Sequence, residues 1–565
     1  MKFTIKAIFL SLLLMANASV SAKTLYVCDS GGNDDWLGQS KSQPLKTFDK
    51  AMSMFRGLDA GDEILFCRGG SFSVFNYGAV FNTKSTASNP IKIRDYYKEG
   101  ASGDEPRPVI ENMATGIFYF NTRKASSELP DGGLVIENLI LKGGEVNTSR
   151  GIFLLNGFSN VAINNVSISG FRVGISVSGG ANESQFITLT NSTVLNNKEQ
   201  GWLGGGSHLK ILNNLFQNNG FGGLHNSYFY HNVYISNPAK VPANDVLFSG
   251  NTLYQSAMKD GKCGGASLVV HGEVNDLMIE NNLVKEDKGF VTQYCYGIGV
   301  GPAYSLAEVF MNVTIRNNQI INLGRVGISG GSLINAVIEN NIIVDEASTL
   351  SDGIYVPDGE DKYADDAKSK NVRIAGNLIY VNKATARGIN VAGSFPYTVQ
   401  NNKISALATD KDGCIKKMDA NVNTDTSSNE CVYHNNPSVV TSLIEAGFIS
   451  ENLNSPESES TESTESTETG DSGRSGRSGR SGRKGSEKEL SYSLESTGGV
   501  NARFEGSGEQ NGSLQAVSLN DYNYSCVPGE QQNNSNCTWK PKGNDIMKTS
   551  KVCRARTQSG RCLLL

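Results

Sequence analysis

An asparagine recurs inside short apolar stretches along most of this chain, as in "VIENLI", "IENNLV", "IRNNQI" and "IENNII". The markers are Asn112, Asn138, Asn165, Asn191, Asn214, Asn251, Asn282, Asn318, Asn341, Asn377 and Asn402. Their spacings run 26, 27, 26, 23, 37, 31, 36, 23, 36 and 25 residues. A floor near 23 with irregular additions is the pattern of a solenoid whose loops vary in length. Within each period the apolar residues alternate and are rich in Val and Ile, which favours strands over helices. A second strand follows most markers: "VGISVSGG", "HNVYIS", "ASLVVHG", "YGIGVGP", "DGIYVPDG", "RGINVAG". Short strands stacked in register ~4.8 Å apart make a parallel β-helix. Its asparagines can then hydrogen-bond up and down the stack. Neither an LxxLxL nor a Trp-Asp repeat signature is present.

With these repeats the chain resembles the secreted right-handed parallel β-helix proteins of the pectate-lyase-like superfamily. The opening "YVCDSGGNDDWLGQSKSQPLKTFDKAMSMFRGLDAGDEILFCRGGSF" is similar to the first segment of many such enzymes. There an extended strand and a Gly/Asp loop precede P-x-x-T, a short helix and GD-x-I. Leu45, Phe48, Met52 and Phe55 fall at helical spacing, so an amphipathic helix is expected to cap the first open rung. The resemblance covers roughly residues 24–450 and implies polysaccharide lyases, glycoside hydrolases or epimerases as the activity class.

The expected fold is therefore all-β: a right-handed parallel β-helix with an N-terminal capping helix over 23–452. Residues 1–22 read as a secretory signal, with Lys2 and Lys6 before an apolar stretch and Val20-Ser21-Ala22 as the cleavage site. Export suits the ten cysteines, which fall as neighbours: Cys28 and Cys67, Cys263 and Cys295, Cys414 and Cys431, Cys526 and Cys537, Cys553 and Cys562. Residues 453–489 ("ESESTESTESTETGDSGRSGRSGRSGRKG" at their heart) form a low-complexity linker with nothing to bury. Residues 490–565 form a small Cys-containing module, where Trp539, Tyr522 and Tyr524 offer a sugar-stacking surface. A formal net charge of −5 provides no basic field for nucleic acid. No segment beyond the leader is long and apolar enough to span a membrane, and a monomer is expected.

Candidate chemistry is read from which side chains leave the solenoid. Aligning the second strands on Ile175, Trp202, Val233, Leu268, Ile298, Ile328, Ile354 and Ile389 sends these inward, and strand alternation sends their neighbours out. One outward column then holds Asn232, Ser267, Gly297, Gly327, Gly353 and Gly388, the glycines giving a floor for an extended polymer. The next holds Ser176, Tyr234, Val269, Gly299, Ser329, Tyr355 and Asn390, and a third holds Ser236 and His271. His231, Tyr296, Asp352 and Arg387 begin their strands at equivalent places and line one rim. Four of the five histidines fall between residues 208 and 271; His208 and His225 are expected in loops or ladders.

An extended acidic polysaccharide is the expected partner. β-Elimination from a uronate needs a base for the proton beside the carboxylate, an acid at the leaving oxygen and a cation for the carboxylate. His231 and His271 are candidates for the base, and Tyr234 and Tyr296 for the acid. Lys259, Lys262, Arg325 and Arg387 are candidates to bind the carboxylate, with Asn232 and Tyr355 as further substrate contacts. Hydrolysis instead needs two carboxylates. Asp352-Gly353-Ile354 resembles the "TDGI" stretch of polygalacturonase-like hydrolases, although the paired aspartates those enzymes place one rung later are absent from "ATARGINVAG". The acidic run Asp352, Asp358, Glu360, Asp361, Asp365 and Asp366 reads as a solvated loop, with Ca²⁺ as a candidate ligand. An epimerase or a non-catalytic adhesive solenoid, as in tailspike-like proteins, uses the same face.

Overall fold

The computed structural model describes residues 22–434, except 77, 122–131, 145–148, 179–183, 223–229, 238–240, 305–306, 359–364, 394–396, 408–412, 418–421 and 425–427. It also describes four short strands near the C-terminus. The expected leader up to residue 21, the linker 453–489, His225, Glu360 and Asp361 lie outside the described residues. The chain divides into units 1–466 and 467–565. In the second, Tyr522–Cys526 pairs antiparallel with Cys537–Pro541, so that Cys526 opposes Cys537 and Tyr524 opposes Trp539. The side chains of Cys526, Cys537, Cys553 and Cys562 lie outside the described residues.

The first unit is a parallel β-helix. Successive turns each add a strand to three parallel sheets. The first sheet runs from Thr24–Val27 to Val422–Thr424, the second from Ser71–Ser73 to Glu430–His434, and the third from Phe118–Asn121 to Ile415–Lys417. A representative turn consists of Val274–Glu280, Leu283–Lys285 and Tyr296–Val300, one strand in each sheet. Inward Val, Ile, Leu and Phe from all three sheets form one continuous core from Leu25 to Cys414. The helix Phe48–Met54 starts at Thr47, whose side chain accepts the Lys50 amide. Its buried Phe48 meets the rings of Phe66 and Phe118, closing the apolar end of the stack.

The paired asparagines mark the corner between the first and second sheets. The first of each pair takes a left-handed backbone (Asn213, Asn281, Asn317, Asn340 and Asn401 have φ between 54° and 58°). The short Asn side chain tolerates that conformation. The second asparagine turns inward. From Asn214 to Asn402 each inner asparagine donates its backbone and side-chain N–H groups to the Oδ1 of the next. Asn138, Asn165 and Asn191 occupy the outer position instead, with φ of 59°, 51° and 50°. The sequence markers therefore slip by one residue in the early turns, where Leu139, Val166 and Ser192 take the inner place.

Asn318 receives two bonds from Asn282, gives two to Asn341 and donates to the Ile279 carbonyl. Asn318→Ala would leave several of these fully buried groups unpaired, at roughly 1–3 kcal/mol each when no water reaches them. Denaturant unfolding should register a loss of about 2–4 kcal/mol. A change below about 0.5 kcal/mol, the usual range for surface substitutions, would mean the ladder contributes no stability.

One sequence expectation is corrected by the corner between the second and third sheets. The column Asn232, Ser267, Gly297, Gly327, Gly353 and Gly388 points inward. A Cβ on Gly297 would stand 2.3 Å from the Gly327 carbonyl oxygen, and one on Gly388 would stand 2.4 Å from Ile404 Cγ2. These glycines are needed for close packing and form no floor. Asn232 is fully buried. It accepts from the Asn219 backbone and side chain, and donates to the Tyr254 carbonyl and Ser256 Oγ. Asn232 is thus a corner-ladder residue rather than a substrate contact. Strict alternation begins one residue later, because this position still belongs to the bend.

Candidate active site

The outward face of the third sheet carries one straight track, one residue per rung: Tyr234, Val269, Gly299, Ser329, Tyr355, Asn390 and Lys416. Beside it run Ser236 and His271 on adjacent rungs. On the other side, His231 pairs with Ala266 and Ala266 with Tyr296; Val326 pairs with Asp352 and Asp352 with Arg387. The track is open at its centre, where a Cβ on Gly299 would meet nothing closer than 3.7 Å.

Four rings converge at one place on this face. The Tyr234 ring lies edge-on between two imidazoles, 5.5 Å from His231 and 5.4 Å from His271 between centroids. Tyr304 arrives from the segment following Val300. Its hydroxyl lies 3.0 Å from the Tyr234 hydroxyl and 2.6 Å from Ser236 Oγ, and its ring is 6.4 Å from His271. Strand alternation brings Tyr234 and His271 out; a loop brings Tyr304 over them.

The hydrogen bonds define both imidazoles. His271 Nδ1 lies 2.6 Å from the Gly301 carbonyl oxygen, which only accepts, so Nδ1 carries the proton and Nε2 keeps a lone pair. His231 Nδ1 accepts from the Ala266 amide at 3.3 Å, so the neutral ring carries its proton on Nε2. Burial disfavours the imidazolium in both. It lowers His271 below its ordinary value and brings His231 down to about 3, with His271 adding to the effect. Burial also raises the Tyr234 and Tyr304 hydroxyls, keeping them protonated.

Glu308 anchors the loop. Its carboxylate accepts the Ala303 and Tyr304 amides at 3.0 and 2.5 Å, and the Gly272 amide at 2.8 Å. Its own amide donates to Asp366 Oδ1 at 2.9 Å. Gly272 directly follows His271, so one buried side chain fixes both the tyrosine loop and the histidine strand.

The remaining candidates are distributed along the face. Tyr296 stands two rungs from His231 on the same rim, with the Arg325 guanidinium 5.8 Å over its ring. Asp352 is four rungs from His231, ~19 Å at ordinary strand spacing. There Asn390 donates to its Oδ1 at 2.9 Å. Burial raises the Asp352 carboxyl above its usual range, against the opposing pulls of Asn390, Arg387, Arg325 and Lys416. The structure thus groups His231, Tyr234 and His271, and sets Asp352 with the basic residues. Lys259 and Lys262 are exposed on a small hairpin, Met258–Lys259 against Lys262–Cys263, just before the strand Ala266–Gly272. The Cys263–Cys295 disulfide ties this hairpin to the start of the Tyr296 strand. His208 sits at a left-handed corner (φ 56°), with Nδ1 2.9 Å from Asp245 Oδ2. It is a ladder residue away from the face.

In the acidic run, Asp358 pairs with Lys368, Asp366 accepts from Glu308 and Asp352 from Asn390. Asp365, on the same run, is exposed. Among the described residues no helix is long and apolar enough to cross a membrane. Tyr304 and Glu308 escaped the sequence reading. Their only signal is the 36-residue spacing from Asn282 to Asn318, which marks an inserted loop.

No protein-family model matches the chain, and no curated protein matches it. Solved structures with similar folds include an alginate lyase from Paenibacillus sp., at 16% identity and TM-score 0.37, covering 71% of this chain and 99% of that one. The A-module of the mannuronan C-5 epimerase AlgE6 from Azotobacter vinelandii matches at 17% identity and TM-score 0.41, covering 66% and 91%. A GH136 lacto-N-biosidase from Eubacterium ramulus matches at 13% identity and TM-score 0.35, covering 73% and 68%. At these values any functional assignment has to come from the chain's own residues.

Proposed function

We propose that this protein is an exported enzyme that cleaves an acidic, uronate-containing polysaccharide by β-elimination. The observation that carries the reading is the tautomer of His271. Its proton is held at Nδ1 by Gly301, leaving a lone pair on Nε2 of a ring that lies against Tyr234 and Tyr304. His271 Nε2 removes the proton on the carbon bearing the carboxylate. The electron pair forms a C=C bond with the neighbouring carbon as its bond to the glycosidic oxygen breaks, and the Tyr234–Tyr304 pair protonates that oxygen. His231 is only 7% exposed and holds the Tyr234 ring in place. Lys259 and Lys262, exposed on the hairpin that precedes the His271 strand, meet the substrate carboxylate.

The test is to incubate purified protein with a panel of uronate polymers, following ultraviolet absorbance of the unsaturated sugar together with new reducing ends. Both signals rising supports elimination. Reducing ends without absorbance would replace it with hydrolysis, and neither signal with retained binding would point to an adhesive solenoid. Unchanged chain length with altered stereochemistry would point to an epimerase.

A pH profile follows from the same groups. The base works only when unprotonated, and its folded pKa lies below 6.5, so activity is present above that pKa and lost as pH falls through it. The tyrosine acid works only when protonated, and its pKa lies above 10.0. Plots of kcat/KM against pH should be flat through neutrality, with the acid limb below 6.5 and the alkaline limb above 10.0. An acid limb above 6.5 would remove His271 as the base.

A further inference from the structure

We infer that this site acts on uronates whose C5 hydrogen and C4 glycosidic oxygen lie on the same face of the sugar ring, the D-mannuronate and D-glucuronate class. This rests on the elimination reading and adds its stereochemistry. Elimination removes the hydrogen on C5, the carbon bearing the carboxylate, and breaks the bond from C4 to its oxygen. In D-mannuronate and D-glucuronate the two depart from one face. In L-guluronate, L-iduronate and D-galacturonate they depart from opposite faces, so base and acid have to reach the sugar from both sides. Where the protein holds its base and acid therefore selects between the two classes.

Tyr304 belongs to a loop, and a loop could hold its hydroxyl across the sugar from the sheet. It does not. The hydroxyl lies 2.6 Å from Ser236 Oγ and 3.0 Å from the Tyr234 hydroxyl, both on the strand His231–Asn237. Hydrogen-bond contact with two side chains of the sheet leaves no space for a sugar ring between them. The Tyr304 hydroxyl is thus part of the surface on which a polymer rests. His271 belongs to the same surface: it is paired in register with Ser236 on the adjacent rung. Its ring makes T-shaped contacts with Tyr234 at 5.4 Å and Tyr304 at 6.4 Å between centroids. Glu308 preserves the arrangement, accepting the amides of Tyr304 and of Gly272, the residue after His271. Whichever tyrosine donates, its proton arrives from the side on which His271 takes one. His271 Nε2 removes the C5 hydrogen, the electron pair left on C5 becomes the C4=C5 bond, and the oxygen leaves C4 with a tyrosine proton. Solvent then takes a proton from the imidazolium and returns one to the tyrosinate, so no net proton is gained or lost.

The test gives full-length protein two pairs of polymers that differ in the uronate's configuration at C5: polymannuronate with polyguluronate, and chondroitin with dermatan, the latter two desulfated. Polygalacturonate is a further substrate of the opposite-face class. Absorbance of the unsaturated sugar is followed throughout, and both members of a pair yield the same unsaturated residue. Within the pair that is cleaved, kcat should be at least about 10²-fold higher on the mannuronate or glucuronate member, the contribution of a proton donor that its epimer cannot use. Equal kcat on the two epimers, even with different KM, would overturn the inference, because the preference would then lie in recognition of the chain and not in the chemistry. Faster turnover of the guluronate, iduronate or galacturonate polymer would also overturn it, while leaving elimination in place. Absence of unsaturated sugar from every polymer would remove elimination and this inference together.

Discussion

His271→Ala should lower kcat on the active polyuronate by about 10²- to 10⁴-fold, the usual contribution of a positioned general base, while KM changes little. The imidazole makes one strong hydrogen bond, to Gly301, and lies on the outward side of its strand. Its removal should therefore leave the apolar core intact. Tyr304→Phe should preserve the ring contact with His271 but delete the hydroxyl that meets Tyr234 and Ser236. Steady-state kinetics with thermal unfolding as a control would separate these effects. Retention of more than about a tenth of wild-type kcat by the His271 variant, well outside the range for a general base, would end its assignment.

Glu308→Gln should be the next most damaging change, although Glu308 is a positioning residue rather than a catalytic one. Three backbone N–H groups converge on its two oxygens. A carboxamide supplies a single acceptor oxygen and turns an NH₂ toward at least one donor, at roughly 1–3 kcal/mol for the unmet groups. Because displacement of a reacting group by about 1 Å can cost on the order of 10²-fold, kcat should fall by about 10- to 100-fold, with KM affected less. A double-mutant cycle supplies the decisive readout. If Glu308 acts through Tyr304, its substitution should do far less harm in a Tyr304→Phe background. Additive losses would show an action elsewhere.

The sequence is most informative where a period is enforced by burial. Ile298, Ile328, Ile354 and Ile389 occupy one inward column with matched register, since a one-residue slip would expose every apolar side chain on the strand. The same period carried Tyr234 and His271 outward. It failed at Asn232, where the chain is still turning and alternation has not begun. The Asn markers slipped for a related reason: outer and inner corner sites both favour asparagine, one for its left-handed backbone and the other for its paired amide, and spacing alone cannot separate them. Tyr304 and Glu308 belong to no period at all. Their positions are set by three amides folding around a carboxylate, a contact that leaves no repeating trace in the sequence.

The positions of the disulfides have a consequence for how this stack comes apart. In a column of rungs each interior turn is held by two neighbours and each terminal turn by one, so melting ordinarily advances inward from the ends. Here Cys28–Cys67 joins the first two described rungs and Cys414–Cys431 ties the last described turn, with Cys263–Cys295 in the middle beside the hairpin. Covalent links at both ends of the described column remove the cheap starting points there. While oxidised, the column should open in one cooperative event; once reduced, it should unravel stepwise from its tips, exposing its edge strands to proteases well before the central rungs yield.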